Sequence, residues 1–328
     1  MVNQTQTTRQ RILAQLYKEK GGTVSGVTLS ESAGISRVAV WKHITALKKK
    51  GYRIESGPRG YFLPDPDDLL LPLCFDPGLS EGPDSGESDI LSTDRIVYFP
   101  RVDTTMDTAR KLARQGAAHL TCVLAERQTR GRGRLNRVWE SGEGGLWFTL
   151  ILVPDTPPPL AYLYNFAASL SLSLTFETLF GLDVRVKWPN DLLLEKKKLV
   201  GLLSEIETQA DMIRFLLMGI GINVNNCPAS DSFQAISIRQ ALGRPVSRKK
   251  ILVTFLGFFA DQTRNMDSAA IMGAWRRRTA TIGTRVRVET HHQTVEGLAM
   301  DVDDSGTLMV EDDNQQIHKI IYGDCFHT

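Results

Sequence analysis

The chain has 328 residues, which is enough for two or three domains. Hydrophobic residues make up 42% and charged residues 23%, as in an ordinary globular protein, and no apolar run is long enough to cross a bilayer. The polar first ten residues do not resemble a signal peptide, so we expect a cytoplasmic protein with no membrane partner. The four cysteines stand far apart in no metal-type pair, and we expect free thiols.

The formal net charge of +2 conceals an uneven distribution of charge along the chain. Residues 1–63 contain 11 Lys and Arg against 3 Asp and Glu, a net charge of +8. Residues 64–99 contain 1 Arg against 9 Asp and Glu, a net charge of −8. A compact basic segment suggests a polyanionic partner, whereas the nearly neutral remainder suggests an ordinary globular body.

The basic segment, 1–63, predicts a winged helix–turn–helix domain. Apolar residues at helical spacing indicate helices, and a Ser-Gly-Pro-Arg-Gly turn between two short β-rich runs indicates a hairpin. The predicted elements are helix 9–19, a short helix that Thr28 caps and that ends near Gly34, helix 37–50, and strands 52–55 and 61–63.

The third predicted helix has an apolar face for the core and a basic face for a partner. Val40, Ile44 and Leu47 recur at helical spacing, and the opposite face suits the major groove of DNA, with the hairpin tip near a phosphate. Ser36 is expected to cap this helix. The predicted DNA-binding residues are Ser36, Arg37, Lys42, His43 and Arg59. A small basic protein-interaction domain stays open as an alternative.

The rest of the chain predicts a linker and two further domains. Residues 64–94 are acidic and rich in Pro, Gly and Ser, which is typical of a linker, and a short helix is expected at 68–73. Strands and helices alternate over 95–278, as in an α/β or α+β domain. Its predicted strands are 96–99, 121–126, 147–153, 184–188, 201–208 and 215–222, and its predicted helices are 105–115, 161–180 and 248–260. Short strands at 285–289, 295–301, 307–311 and 317–321 predict a small β-barrel over 279–328.

The segment 126–139 is rich in glycine and arginine. Gly131 and Gly133 free the backbone, and guanidinium groups donate bidentate hydrogen bonds, so the loop could close over a phosphate or a carboxylate. Its arginines are Arg130, Arg132, Arg134 and Arg137. No GxxxxGK[ST] sequence occurs, so a nucleotide would have to bind without a Walker loop. A flexible basic surface loop or an RG-type nucleic-acid contact explains this motif equally well.

Two further segments carry residues suited to an anionic, flat ligand. Lys187 lies just before Pro189, which ends a predicted strand, so its ammonium group could neutralise a carboxylate and a phosphate brought together in a cleft. Gly219 and Gly221 leave one face of another strand bare, and a flat ligand could lie against it. A solvated lysine and tight strand packing are the alternative interpretations of these segments.

Taken in order, these segments resemble the family of bifunctional biotin–protein ligases and biotin operon repressors. The resemblance covers nearly the whole chain. It rests on the winged head, the GRGR loop, Lys-Trp-Pro-Asn-Asp from Lys187, Lys-Leu-Val-Gly-Leu-Leu-Ser-Glu from Lys198, Gly-Ile-Gly-Ile-Asn from Gly219, and the terminal barrel. It implies a multidomain α+β fold, with a winged helix–turn–helix, a central α/β catalytic domain like that of class II synthetases, and an SH3-like barrel.

The resemblance also implies an activity and partners. The activity is adenylation of biotin with ATP and Mg²⁺, followed by transfer of biotin to a lysine of the biotin carboxyl carrier protein. The partners are this acceptor, a second copy of the chain in a homodimer, and the operator DNA of biotin genes. The metal would be carried by the ATP phosphates, without a dedicated protein site.

Individual residues acquire roles by the same resemblance. Contacts to biotin are expected from Thr104, Thr105, Gln128, Gly131, Arg132, Gly133, Lys187, Gly201, Gly219 and Gly221. Contacts to the nucleotide are expected from Arg134, Trp139 and Asn223, and catalytic roles from Lys187, Arg132 and Arg134.

Two positions depart from the family pattern, and three alternative functions stay open. Met106 stands where the family usually has Asn, which bears on the affinity for biotin. Asn136 stands where it often has Gly, although Asn tolerates a left-handed backbone. The alternatives are a regulator whose α/β domain only senses a ligand, a lipoate ligase with a similar core, and a ligase whose head no longer binds DNA.

Overall fold

The computed structural model describes residues 7–19, 21–49, 51–64, 68–75, 93–228 and 235–328. Its first part is the predicted helix–turn–helix with a hairpin wing, and the order of elements is confirmed. The elements are α1 (Thr8–Lys18), α2 (Gly26–Ala33), α3 (Arg37–Lys49), β1 (Glu55–Gly57) and β2 (Gly60–Phe62). Apolar side chains of α1 and α3, among them Leu13 and Ile44, form the core of this head.

The helix boundaries of the head follow from local capping. Ser36 caps α3 as predicted, because its Oγ accepts a hydrogen bond from Ala39 N at 3.2 Å. The prediction that Thr28 caps α2 is wrong: the cap is Ser25, whose Oγ accepts a hydrogen bond from Thr28 N at 3.0 Å. Gly34, in the left-handed conformation, ends α2 as expected.

A seven-stranded sheet forms the centre of the molecule. Its strands are β3 (Ile96–Phe99), β4 (Thr121–Ala125), β5 (Leu146–Leu152), β6 (Arg185–Lys187), β7 (Asp191–Leu194), β8 (Lys197–Gln209) and β9 (Met212–Ile222). They lie in the order β3-β4-β5-β9-β8-β7-β6, and only β3 and β4 are parallel. The mainly antiparallel sheet makes this an α+β domain. Strand β7 was not predicted, because a tight turn at Glu195 and Lys196, both with positive φ, separates it from β8.

Helices cover this sheet and connect its strands. They are α4 (Thr105–Arg114), α5 (Tyr162–Phe180), α6 (Ile238–Leu242), α7 (Arg248–Arg264) and α8 (Ser268–Arg278). Helix α5 is buried along most of its length, and its hydroxyl groups bond to backbone carbonyls, as Ser171 Oγ does to Ala167 O at 2.7 Å. Helices α6 and α8 were not predicted. None of the helices described has both the length and the hydropathy that a membrane span requires.

Part of the predicted linker packs into the core of the molecule. Leu70, Leu71 and Cys74 are at most 2% exposed, and a 3₁₀ turn over Pro72–Phe75 replaces the helix expected at 68–73. The buried Arg248 at the start of α7 holds this segment, because its guanidinium group pairs with Asp68 at 3.0 Å. Residues 65–67 and 76–92 of the predicted linker lie outside the described residues.

The last part of the chain is a five-stranded antiparallel sheet in the order β13-β12-β11-β10-β14. Its strands are β10 (Arg285–Glu289), β11 (Thr294–Val302), β12 (Leu308–Glu311), β13 (Ile317–Ile320) and β14 (Asp324–His327). Strand β14 was not predicted, because four residues after a glycine turn carry little periodic signal. Closure into an SH3-like barrel stays a prediction. All four cysteines are free, as expected.

Candidate functional site

A cleft of about 640 Å³ opens where the central sheet, the glycine- and arginine-rich loop and the C-terminal sheet meet. The structure brings together nearly all of the residues predicted to bind biotin or nucleotide. Those that line the cleft are Thr104, Thr105, Gln128, Arg132, Gly133, Arg134, Trp139, Lys187, Gly201, Gly219, Gly221 and Asn223. Gly131, which belongs to the loop, is buried and does not line the cleft.

One end of the cleft is a chain of hydrogen bonds that fixes the amide of Gln128. Thr105 donates to Gln128 Oε1 from its backbone N at 2.8 Å and from its Oγ1 at 3.1 Å. Gln128 Nε2 in turn donates to Ser141 Oγ at 2.9 Å, and Ser141 Oγ donates to Trp139 O at 3.0 Å. The buried Thr149 of β5 donates to Thr105 Oγ1 at 2.8 Å. The orientation of the Gln128 amide is thereby set by partners at both ends.

The start of α4 forms the wall beside this chain. Thr104 caps the helix, and its Oγ1 accepts a hydrogen bond from Met106 N at 3.3 Å. Met106 is 3% exposed and lies on the bare face of Gly219, where a Cβ would come within 2.8 Å of the Met106 sulfur. The thioether therefore covers part of the strand surface that the alternating glycines leave open.

The glycine- and arginine-rich loop folds as a small hairpin. Gly133 N donates to Arg137 O at 2.8 Å, and Trp139 N donates to Gly131 O at 2.9 Å. A Cβ at Gly131 would lie 2.3 Å from Trp139 O, so this close approach requires glycine. The left-handed residue of the turn is Leu135, with φ 51°, rather than Asn136 as the family pattern suggested.

The loop arginines dock on two different neighbours. Arg130 pairs with Asp103 and Arg132 pairs with Asp107 of α4, each at 2.6 Å. Arg134 donates to Asn190 Oδ1 at 3.2 Å and to Gly323 O at 3.1 Å. Arg137 pairs with Asp324 of β14 at 2.5 Å. One end of the loop is thus held to α4, and the other end is held to the C-terminal sheet.

Trp139 lies flat over the glycines of β8 and β9, which pair with each other across the two strands. A Cβ at Gly221 would lie 2.4 Å from the indole Nε1, and a Cβ at Gly201 would lie 2.8 Å from the ring. The Lys198 ammonium group stands 5.1 Å from the ring centre on this surface. The Trp139 Nε1, which faces Gly221, is buried and has no hydrogen-bond partner among the described residues.

Two of the groups near Lys187, His327 and Cys325, carry no charge near neutral pH. Burial, assisted by the Lys187 charge, lowers the pKa of His327 to about 4, and burial raises the pKa of the Cys325 thiol to about 12. Lys187 forms no ion pair with any other described residue. Its positive charge is therefore available to a ligand in the cleft.

The cleft as a whole carries an excess of positive charge. Six cationic residues line it against three anionic ones, a net charge of +3. The cations are Arg132, Arg134, Arg137, Lys187, Lys196 and Lys198, and the anions are Glu140, Asp191 and Asp324. Such a surface favours an anionic ligand, and the Trp139 ring, which lies on the glycines of β8 and β9, favours a flat ring stacked on it.

The residues predicted to bind DNA lie in the head and take no part in this cleft. Ser36, Arg37 and Lys42 are exposed on α3, and Arg59 is exposed in the turn of the hairpin. His43 is half-buried, because it lies on the flank of α3 next to the core residue Ile44. Arg37 and Arg59 face a common groove of about 740 Å³ between α3 and the hairpin.

Sequence reasoning missed several residues that shape the cleft. Thr149, Ser141 and Asp107 bond to predicted site residues, but each stands on an element whose pairing could not be read from local sequence. No residue of β14 was predicted to contribute, although Asp324 holds the loop. The only sequence signal for Asp107 was its place in the first turn of α4, close in the chain to Thr104 and Thr105.

Comparison with known proteins follows the same division of the chain. The model of the biotin/lipoate A/B protein ligase family matches residues 98–225, that of an HTH domain matches 8–62, and that of the biotin protein ligase C terminal domain matches 281–328. The chain is 34% identical to the bifunctional ligase/repressor BirA of Bacillus subtilis, over 97% of this chain and 98% of that protein. It is 26% identical to the bifunctional ligase/repressor BirA of Escherichia coli, over 88% of each chain.

Solved structures agree for the body of the molecule. The biotin protein ligase from Aquifex aeolicus in complex with biotin and ATP superposes with a TM-score of 0.61 at 25% identity, covering 71% of this chain and 99% of that chain.

Proposed function

Since the chain belongs to the family of bifunctional biotin ligase/repressor proteins, we propose that it joins biotin to a lysine of an acceptor protein and represses transcription. The observation that carries the first activity is the cleft itself. It brings together Lys187, two loop arginines and the Trp139 ring, which lies on paired glycines. Its net charge is positive. A carboxylate and a nucleoside triphosphate are both anionic, and a positively charged surface allows them to approach each other.

In the first step, the biotin carboxylate attacks the α-phosphorus of ATP. An acyl–phosphate bond forms, the bond to pyrophosphate breaks, and the product is biotinyl-5′-adenylate. Two anionic groups must approach, and the Lys187 ammonium group, which forms no ion pair with another described residue, offsets their repulsion. Arg132 and Arg134 supply further positive charge from the loop above.

Biotin and adenine would occupy two different regions of the cleft. The chain from Thr149 through Thr105 and Gln128 to Ser141 presents oriented polar groups, as recognition of the polar ring system of biotin requires. Thr104 and Gly219 complete this region, with Met106 in place of a polar residue, and Asn223 is assigned to the nucleotide. The adenine would pack on Trp139, whose unpartnered Nε1 marks the surface over Gly201 and Gly221.

In the second step, the amine of the acceptor lysine attacks the acyl carbon, and AMP leaves. An acyl adenylate is reactive enough to need no enzyme nucleophile, and water is the competing acceptor. The hairpin loop with Gly131 and Gly133 would exclude water while it covers the intermediate. We propose the biotin carboxyl carrier protein as the acceptor.

We also propose that Mg²⁺ enters with the ATP phosphates and neutralises part of their charge. Among the described residues, no three His, Cys, Asp or Glu side chains are grouped to hold an ion. No protein ligand is therefore assigned to the metal, and the steps above rest on the side chains of the chain alone.

The second activity belongs to the head. We propose that its α3 binds the operator DNA of biotin genes, with Ser36, Arg37, Lys42, His43 and Arg59 towards the duplex. A homodimer would present two heads to a two-fold operator, and ordering of the loop by bound adenylate would favour that dimer. Such a repressor shares a compartment with the chromosome, which supports a cytoplasmic location.

The experiment that tests the ligase proposal is ATP–pyrophosphate exchange by the purified full chain, with biotin, with lipoate and with no acid. Exchange with biotin alone supports adenylation of biotin and needs no acceptor. Exchange with lipoate alone would make the chain a lipoate ligase. Lipoate is included because the matching family contains both biotin and lipoate ligases. No exchange with either acid, in protein that still binds biotin, would favour a regulator that only senses it.

A further inference from the structure

Three large apolar side chains are exposed on the face of the head that is proposed to meet DNA. Val38 is 65% exposed, Trp41 is 58% exposed and Val27 is 46% exposed. A single exposed apolar side chain is ordinary on a protein surface, but these three line one groove. Val38 and Trp41 lie on the side of α3 away from the core residues Val40 and Ile44.

The walls of this groove are held by bonds between elements. Val24 and Tyr61 exchange backbone hydrogen bonds of 2.8 and 2.9 Å, which join the segment before α2 to the hairpin. Lys48 Nζ donates to Ser56 Oγ at 2.8 Å, which joins the end of α3 to the other strand of the hairpin. Val38 and Trp41 are therefore presented on a fixed frame rather than on a free loop.

The groove is basic as well as apolar. Arg37 and Arg59 line it from α3 and from the hairpin, no Asp or Glu of the described residues lines it, and Lys42 is exposed one turn after Val38. None of these three cations forms an ion pair with another described residue. An apolar patch framed by unpaired cations complements a duplex, whose edges carry phosphates and whose major groove exposes the 5-methyl group of thymine.

We propose that Val38 and Trp41 recognise thymine by its 5-methyl group in the major groove, while Arg37, Lys42 and Arg59 contact the flanking phosphates. This inference rests on the proposed repressor function and adds the means by which the head selects a sequence. Thymine alone among the four bases carries a methyl group there, and only an apolar side chain gains from covering it. The loss of one buried methyl group should weaken binding about fourfold.

The test uses the full chain with biotin and ATP, and a duplex selected by that protein from a random-sequence pool. Each thymine of the selected duplex is replaced singly by deoxyuridine, which removes the methyl group and keeps every hydrogen-bonding atom. Affinity is measured by gel shift at one fixed salt concentration, because phosphate contacts make binding salt-dependent. We expect about fourfold weaker binding when one or more thymines are replaced. Replacing thymines outside the segment that the protein covers should leave the affinity unchanged.

The same series is then measured with Val38→Ala and Trp41→Ala. The matched control is Val153→Ala, at a valine that is 47% exposed on the body of the molecule. We expect each head variant to bind the thymine and deoxyuridine duplexes with nearly equal affinity, while the control keeps the full discrimination. Biotin-dependent pyrophosphate exchange should be unchanged in all three variants, which shows that the body is intact.

The outcomes separate this inference from the function on which it rests. If no sequence is enriched and no duplex is bound, the repressor function itself fails. If the selected duplex is bound but every deoxyuridine substitution is neutral, repression stands and methyl recognition is overturned. Discrimination that persists in both head variants would overturn the assignment to Val38 and Trp41. A change in oligomeric mass with unchanged DNA affinity would instead make the patch a contact between proteins.

Discussion

The indole ring of Trp139 lies against the Cα of Gly221, so closely that a Cβ there would come within 2.4 Å of Nε1. Gly221→Ala must therefore displace the ring from the strand surface. We expect the KM for ATP in pyrophosphate exchange to rise about tenfold, since overpacking of this kind costs roughly 1–3 kcal/mol. Gly142→Ala is the control, because its Cβ would meet nothing within 4 Å. Equal KM values for the two variants would contradict the assignment of this surface to the nucleotide.

Lys187→Ala removes a cleft cation that forms no ion pair with another described residue. We expect biotin-dependent exchange to fall by about 10²–10³, the usual effect of losing one group that stabilises developing charge. Lys111→Ala, at an exposed lysine of α4, is the control for charge alone. Circular dichroism should be unchanged, and near-normal exchange by Lys187→Ala would refute its role.

Arg132→Gly breaks the pair with Asp107 that holds one end of the loop to α4. We expect the variant to release adenylate into solution, because the loop would cover the intermediate less well. The measurement is biotin labelling of an added bystander protein, which should increase several-fold. Arg130→Gly, which breaks a pair outside the cleft, should leave the labelling low. Tight retention of adenylate by Arg132→Gly would argue against a covering role for the loop.

Arg248→Met leaves the partly buried carboxylates of Asp68 and Glu126 without their partner. We expect the free energy of unfolding to fall by about 2–3 kcal/mol, below the cost for a fully buried pair, because both carboxylates keep some contact with water. Arg214→Met, which breaks an exposed pair with Glu207, should cost less than about 1 kcal/mol. Urea unfolding compares the two, and a similar loss in both would show that the Arg248 pairs contribute little.

His327 makes stability depend on pH. Its pKa is lowered to about 4 in the folded protein, so the unfolded chain binds the proton more readily between pH 6.5 and 4. The free energy of unfolding therefore has its full His327 contribution above about pH 6.5, and this contribution is lost as the pH falls to about 4. In His327→Gln this decline should be smaller by roughly 1–2 kcal/mol. The effect is smaller than the pKa shift alone would give, because the ring is partly exposed to solvent. Unfolding series at several pH values test it, with exposed His292→Gln as a neutral control.

The sequence was sufficient to predict the order of domains and most strands of the central sheet, because those strands are long and apolar. It was also sufficient to group Lys187, the loop and the glycine strands, because their motifs follow one another in a recognised order. It was not sufficient to predict β7 and β14, each of four residues, although β3, β12 and β13 are equally short and were predicted. Ser25 was overlooked as a cap because Thr28, three residues later, has the same capping chemistry.

Contacts between distant segments were beyond any local pattern. The bond from Arg134 to Gly323 spans 189 positions, and the pair between Arg137 and Asp324 joins the same two regions. The Met106 side chain could be named as a departure, but only the fold reveals that it lies on Gly219. Trp139 was expected near the nucleotide, yet its position on the paired glycines depends on a hairpin whose turn is at Leu135.

The burial of residues 68–75 determines where the two activities can be separated. These residues follow the head in the chain, but Leu70 and Leu71 are buried, and Asp68 is paired with Arg248 of the body. A shortened chain that keeps the ligase and loses the head should therefore begin before Asp68. A chain that begins at residue 95 would lack Leu70 and Leu71 and would leave the buried Arg248 without its partner Asp68. We therefore expect truncation between residue 63 and Asp68 to separate the enzyme from its DNA-binding head.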